Sequence, residues 1–93
     1  MKLVVAIVQH RDADGVIDAL VQAEYSTTRI NTSGGFFKRG NATVLIGVED
    51  DQVADVMRIV RQNARPPGDD SSRPANVHPG IMFVLPVARF VRV

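Results

Sequence analysis

The residues best suited to ligand binding lie in one short stretch, 32–41, which combines adjacent glycines, two aromatic residues, two cations and an asparagine. Glycine lets backbone N–H groups approach phosphate oxygens, and the cations add charge. An aromatic ring offers a stacking face worth about 1–3 kcal/mol per base. A plain hairpin loop with its phenylalanines in the core explains the same residues and stays open. The members of interest are Gly35, Phe36, Phe37, Arg39 and Asn41.

Two further positions and one helix face are weaker candidates. Gly47 interrupts an apolar segment, which indicates either close approach of a ligand or tight packing. Thr28 could present its hydroxyl to a ligand, although threonine is also a good strand residue. Arg58, Arg61 and Arg65 share a helical face that could touch phosphate, and a solvated surface explains them more simply.

The sequence predicts neither a catalytic nor a metal site. His10 and His78 fall in different segments, with no carboxylate at a metal-ligand spacing. Asp50 and Asp51 come directly before an amphipathic segment, so we expect them to cap a helix. No combination of nucleophile, base and orienting group can be assembled. We therefore expect no enzymatic activity and no cofactor.

Composition limits the classes of function. The chain has 93 residues, which predicts one domain over 1–93, and part of its stability is expected to come from pairing identical subunits. A net charge of +1 lacks the basic surplus typical of nucleic-acid binding. The apolar run 3–8 is too short to cross a bilayer, which needs about 20 residues. The absence of cysteine fits the cytoplasm.

Apolar periodicity predicts two strand-helix-strand units. The run 3–8 does not alternate, which is typical of a central strand with both faces covered. Asp12 or Asp14 is expected to cap the amphipathic helix that follows, and 26–32 is polar enough for an edge strand. The remaining predicted elements are a loop at 33–41, a strand at 43–48, a helix ended by Pro66 and Pro67, a polar loop at 66–79 and a last strand at 81–90 with Pro86.

The two halves also resemble each other. A shift of 39 residues superimposes Val5, Ile7 and Asp12 on Val44, Ile46 and Asp51. This duplication predicts an α+β, ferredoxin-like (βαββαβ) domain, with a four-stranded antiparallel sheet and two helices on one face. The first and third strands should be central, and the polar second and Pro-bearing fourth strands should be edges.

Several motifs together resemble the PII-like cyclic di-AMP receptor family, and the similarity spans nearly the whole chain. The block around Gly34-Gly35-Phe36 is fairly specific to that family, whereas the strand residues are shared by many PII-like folds. The motifs are Ile7-Val8-Gln9, Thr32-Ser33-Gly34-Gly35-Phe36 with Gly40-Asn41, Gly47-Val48 with Asp50-Asp51, and Phe83-Val84-Leu85-Pro86-Val87.

The resemblance implies a homotrimer that binds cyclic di-AMP in clefts between subunits, with loops that order on binding and alter contact with a downstream protein of unknown identity. Backbone amides at 35–37 would hold phosphate, Asn41 and Thr28 would recognise polar edges, and an aromatic ring would stack on adenine. The positions that match the family's cleft are Thr28, Gly35, Phe36, Phe37, Asn41 and Gly47.

Three departures from the family pattern leave alternatives open. Glu24 and Ser26 stand where the family commonly has Asn and Arg, which adds an anion and removes a cation near the expected phosphates. The 66–79 loop is shorter than usual, and the C-terminus is less polar, although Arg92 could supply the missing charge. The alternatives are a trimer that binds ATP or ADP, and a ligand-free module that binds a protein. Metal binding, as in divalent-ion tolerance proteins of similar architecture, is disfavoured.

Overall fold

The computed structural model describes residues 1–30, 40–64 and 80–93. Its four strands form one antiparallel sheet in the order β2-β3-β1-β4. Both helices cover the same face of this sheet, which confirms the ferredoxin-like α+β fold. The elements are β1 (Lys2–Gln9), α1 (His10–Gln22), β2 (Thr27–Ile30), β3 (Asn41–Val48), a 3-10 turn (Asp50–Gln52), α2 (Val53–Asn63) and β4 (Gly80–Pro86).

The sequence repeat coincides with the two central strands. Shifting Lys2–Gln9 by 39 residues gives Asn41–Val48, so β1 and β3 match at both ends. They pair with each other along their whole length. The expected edge positions of β2 and β4 are confirmed. The fully buried residues of the sheet lie on the two central strands.

The core lies between the helices and one face of the sheet. Alternate residues of the central strands point into it, as the two-residue period of a strand requires. The helices contribute residues three and four positions apart, which form one apolar stripe each. The largest fully buried side chains are Leu20, Ile46, Val4, Val8, Val16, Val44 and Val56.

The opposite face of the sheet is left open by the described residues. We call it the open face; it carries Leu3, Val5, Ile7, Leu45, Ile81, Phe83 and Leu85. The three residues from β4 remain 57%, 45% and 46% exposed. Within the described residues only one face of β1 is covered, because both helices lie on that side, so the prediction that both of its faces are covered stays a prediction.

Both predicted helix caps are wrong. Helix α1 begins at His10, immediately after β1, so Asp12 lies inside its first turn, 6% exposed, and Asp14 lies further along the helix. Ahead of α2, Glu49 caps the 3-10 turn that leads into the helix: its side chain and that of Gln52 form a reciprocal capping box. Asp50 and Asp51 form the 3-10 turn instead.

The strand ends also differ from the prediction. β2 starts at Thr27 rather than at 26, and β3 starts at Asn41 rather than at 43. β4 ends at Pro86, not at Phe90. After it, the Val87 N–H donates to the Met1 carbonyl at 3.1 Å.

A polar cluster ties α2 to the segment between α1 and β2. The Tyr25 hydroxyl donates to Asp55 Oδ2 at 2.7 Å, and Arg58 pairs with the same carboxylate. These hydrogen bonds, first from Arg58 and then from Tyr25, lower the pKa of Asp55. The bond to Asp55 in turn raises the pKa of Tyr25. The guanidinium of Arg58 is thus paired with a carboxylate of the same helix. It lies on the helix face that the sequence suggested could touch phosphate.

Gly80 is required by the close approach of β4 to β1. A Cβ there would lie 2.7 Å from the Ile7 carbonyl oxygen, so the backbone would have to shift. We expect Gly80→Ala to destabilise the fold by about 1–3 kcal/mol, a cost typical of overpacking. Gly15, inside α1, has open space at the same position. Gly15→Ala is the control and should stabilise by about 0.5–1 kcal/mol. Urea unfolding measures both, and equal stability of the Gly80 variant and the parent would contradict this reading.

Candidate functional site

Three of the expected binding residues lie on the open face. Thr28 of β2 stands opposite Leu45 of β3, and directly opposed residues of antiparallel strands share a face. Asn41 and Gly47 lie an even number of residues from Leu45 on the same strand, so they share that face too. The sequence could not show this, because facing depends on the register between β2 and β3.

The spacing divides these residues into two places. Thr28 and Gly47 are diagonal neighbours on adjacent strands, with Cα atoms about 7–8 Å apart. Asn41 lies six residues from Gly47 along β3, a distance of about 20 Å. The structure thus brings Thr28 and Gly47 together and puts Asn41 at the other end of the strand.

Gly47 is exposed, and packing within the described residues does not require a glycine there. A Cβ at this position would meet a single heavy atom within 4 Å, the Met1 methyl carbon at 3.5 Å, which is an ordinary contact. The tight-packing explanation of Gly47 therefore fails for this chain. Open space over a strand backbone is what a closely approaching group needs.

Asn41 begins β3 directly after a turn residue, so the predicted loop 33–41 is too long at this end. Gly40 has φ +90°, a left-handed conformation that favours glycine, and its carbonyl accepts the His10 N–H at 2.6 Å. This bond fixes the start of β3 to the start of α1, so the position of Asn41 is set by the core rather than by the loop.

The same end of the sheet carries an ion cluster that the sequence did not reveal. Arg29 stands opposite Val44 and therefore points to the helix side of the sheet. Its Nη1 donates to Asp14 at 2.9 Å, and its Nη2 lies 3.1 Å from His10 Nδ1. The cluster binds β2 to α1 close to the end of β2. Residues 19 and 15 positions apart can be paired only once the fold is known.

Arg92 lies in the segment after β4, with its guanidinium 5.9 Å from the centre of the Phe90 ring. This geometry is that of a cation–π contact. Both residues are exposed, so the charge is accessible at the surface. The other expected residues, Gly35, Phe36, Phe37 and Arg39, and the polar loop 66–79 lie outside the described residues.

Glu24 and Ser26, which depart from the family pattern, have different structural roles. Glu24 has φ +69° and ends α1: its N–H donates to the Val21 carbonyl at 2.9 Å. Asparagine suits a left-handed helix end better than glutamate, so position 24 carries a backbone requirement of its own. Extending the β2 register by one residue places Ser26 opposite Gly47. The cation that the family pattern has at 26 is therefore missing beside Gly47.

The described residues contain neither a metal-binding cluster nor a membrane-spanning helix. No group of three or more histidines and carboxylates in ranges 1–30, 40–64 and 80–93 could hold a metal ion. In the same ranges, no helix has the length and apolar character needed to cross a membrane. A polar cavity of about 310 Å³ lies on the helix side, lined by Arg11, Asp12, Gly15, Gln62 and Asn63.

Comparisons with known proteins agree with the fold and define the class. The model of the cyclic di-AMP receptor family matches residues 1–79. The chain belongs to the cyclic di-AMP receptor family, a family of binding proteins rather than one defined by a reaction. A crystal structure of a functionally unknown protein from Pediococcus pentosaceus ATCC 25745 is similar at 34% identity and a TM-score of 0.77. The match covers 99% of this chain and 96% of that one.

The open space at Gly47 generates a direct test of the site. Gly47→Ala should leave the melting temperature near that of the parent, because its Cβ finds room. It should weaken cyclic di-AMP binding more than about tenfold, the equivalent of 1.4 kcal/mol, by keeping the ligand off the backbone. Calorimetric titration measures the affinity, with Gly15→Ala as the control. Unchanged affinity in a folded Gly47→Ala protein would remove Gly47 from the site.

Proposed function

We propose that this chain is a PII-like signalling protein that binds cyclic di-AMP in clefts between the subunits of a homotrimer. It is one domain over 1–93, works in the cytoplasm, catalyses no reaction and passes its signal to another protein. The observation that carries the proposal is the placement of Thr28 beside an accessible Gly47 on an apolar sheet face. The family match supplies the ligand class.

The open face supports self-association. Apolar side chains from all four strands line it, and those of Ile81, Phe83 and Leu85 are about half exposed. Burying apolar surface is worth roughly 25 cal/mol per Å², so leaving such a face in water is costly. Contiguous apolar patches of this kind mark interaction surfaces. A second copy of the chain offers the same apolar surface, and the family resemblance favours three copies.

A ligand on this face would lie next to a neighbouring subunit. Thr28, Gly47 and Asn41 share the face with the apolar residues that we expect a partner to cover. They lie on β2 and β3, at the opposite side of the sheet from β4, so they border the apolar region rather than sit at its middle. That position fits a cleft at the rim of an intersubunit contact.

The length of the site favours a dinucleotide. Thr28 and Gly47 are close together, whereas Asn41 is about 20 Å from Gly47 along the strand. A ligand with two bases on a cyclic sugar–phosphate backbone can contact more of this length than one with a single base. The stretch 34–39, which follows β2, supplies the glycines, aromatics and cations that the resemblance assigns to phosphate and base.

ATP or ADP is the second candidate ligand. Ser26 stands beside Gly47 in place of a cation, and Glu24 adds an exposed carboxylate just before β2. Both changes alter the charge near the expected phosphates. A ligand-free module that uses the open face to bind another protein is the third possibility. The three functions differ in which nucleotide, if any, stabilises the protein.

Signalling requires that the two loop states differ in ligand affinity. A ligand that binds both states equally shifts no population, however tightly it binds. The loop after β2 joins the anchored start of β3, where Gly40 is bonded to His10. If residues 31–39 order on binding, as the family resemblance implies, the described residues on either side of them are already held by backbone hydrogen bonds, which limits the entropy lost.

Ligand binding is tested by calorimetry with cyclic di-AMP, ATP and ADP. We expect heat with cyclic di-AMP and the largest thermal shift with it. Asn41→Ala should weaken binding about tenfold by removing one polar contact, and Phe36→Ala with Asn41→Ala should abolish it without unfolding the protein. Gln62→Ala, an amide lost on the helix side, is the control. Absence of heat at micromolar protein would count against cyclic di-AMP, and a larger shift with ATP would favour the second candidate.

Assembly is tested by placing a charge on the open face. Phe83→Glu should convert a particle of three chain masses to one of a single chain mass, because an unpaired carboxylate resists burial. Val21→Glu changes an apolar residue of α1 that is at least as exposed as Phe83, and it should leave the mass unchanged. Sedimentation equilibrium gives both masses. A parent protein that is monomeric at tens of micromolar would contradict the trimer.

A further inference from the structure

The side chain of Met1 borders the open space over Gly47. Its methyl carbon lies 3.5 Å from the position that a Cβ on Gly47 would take, and it is the one described heavy atom within 4 Å. Met1 precedes Leu3 by two residues, so it belongs to the open face by the period of the strand. Any group that fills the space over Gly47 therefore meets this methyl group.

The backbone of Met1 is held from two sides. Its carbonyl accepts the Val87 N–H at 3.1 Å, which joins it to the segment after β4. Its amino group lies 3.2 Å from Asp50 Oδ1, and Lys2 Nζ lies 4.0 Å from the same oxygen. The amino group, and after it Lys2, lowers the pKa of the Asp50 carboxyl. The side chain is thus presented at a fixed place while remaining 30% exposed.

We propose that Met1 is a ligand-contacting residue of the Gly47 part of the site, where its thioether forms one wall for a purine base. The inference rests on the proposed function, since it takes a base to be the group that approaches Gly47. A methionine is suited to this role because its side chain is unbranched and polarisable, and sulfur makes favourable contacts with aromatic rings. The contact is apolar, so it would favour a base over a sugar or a phosphate at this position.

The chain's methionines allow a test that changes no residue in the site. Of the three methionines, Met57 lies on α2 and Met82 on the helix side of β4, packed against the core. In protein labelled with ¹³C-methyl methionine, saturating cyclic di-AMP should move the Met1 signal through the ring current of the base. The Met57 signal should not move, and Met1→Leu assigns the resonances. An unmoved Met1 signal in protein that binds the ligand would overturn the proposal.

A variant series measures the contact itself. The chain is produced with a short N-terminal extension so that residue 1 can be changed, and the extended parent is the reference. Met1→Ala should weaken cyclic di-AMP binding about 2- to 10-fold, the range expected for a sulfur–aromatic contact. Met1→Leu should stay closer to the parent because it keeps the apolar wall. Met57→Ala is the control.

The outcomes separate this inference from the function on which it rests. If the parent gives no heat with cyclic di-AMP, the proposed ligand is wrong. If the parent binds cyclic di-AMP and Met1→Ala binds it equally well or more tightly, the proposed ligand is correct and Met1 does not contact it. Thermal unfolding of each variant shows that a loss of affinity is not a loss of fold.

Discussion

The structure depends on one imbalance: two helices cover only one face of a four-stranded sheet. On the covered face, alternate residues of β1 and β3 are fully buried and form the core. On the other face, the same strands carry apolar residues that the described part of the chain leaves in partial contact with water. A strand that is apolar on both sides is suited to burial on both sides. The fold therefore favours a second layer that covers the open face, and identical chains can provide it.

The residues that we propose for ligand binding lie on the face that the helices leave uncovered. Thr28, Asn41 and Gly47 lie on the open face, at the β2 side of the sheet, away from the exposed apolar residues of β4. A nucleotide bound there would be shielded by a partner and held by strand backbone as well as by side chains. β2 is held in place at this edge from the helix side of the sheet, where Arg29 binds Asp14 and His10 of α1.

The sequence predicted the architecture well and the helix starts badly. The repeat at 39 residues located both central strands, because strand burial leaves an apolar pattern in the sequence. The cap ahead of α2 was mispredicted because three acidic residues stand there in a row, and residue type alone does not distinguish them. Glu49 was chosen over Asp50 and Asp51 by the geometry of a capping box with Gln52. α1 follows β1 without a linker, which left no room for Asp12 as a cap.

What the sequence determined by itself is the family, the order of the elements and the identity of the residues that could bind a nucleotide, since these follow from residue type and local spacing. Tertiary structure alone decided which of those residues meet. Strand register set Thr28 beside Gly47 and Asn41 about 20 Å away. It also brought Met1 against Gly47, a pairing of residues 46 positions apart in the chain. Register and long-range contact depend on how strands align in space, which no local pattern encodes.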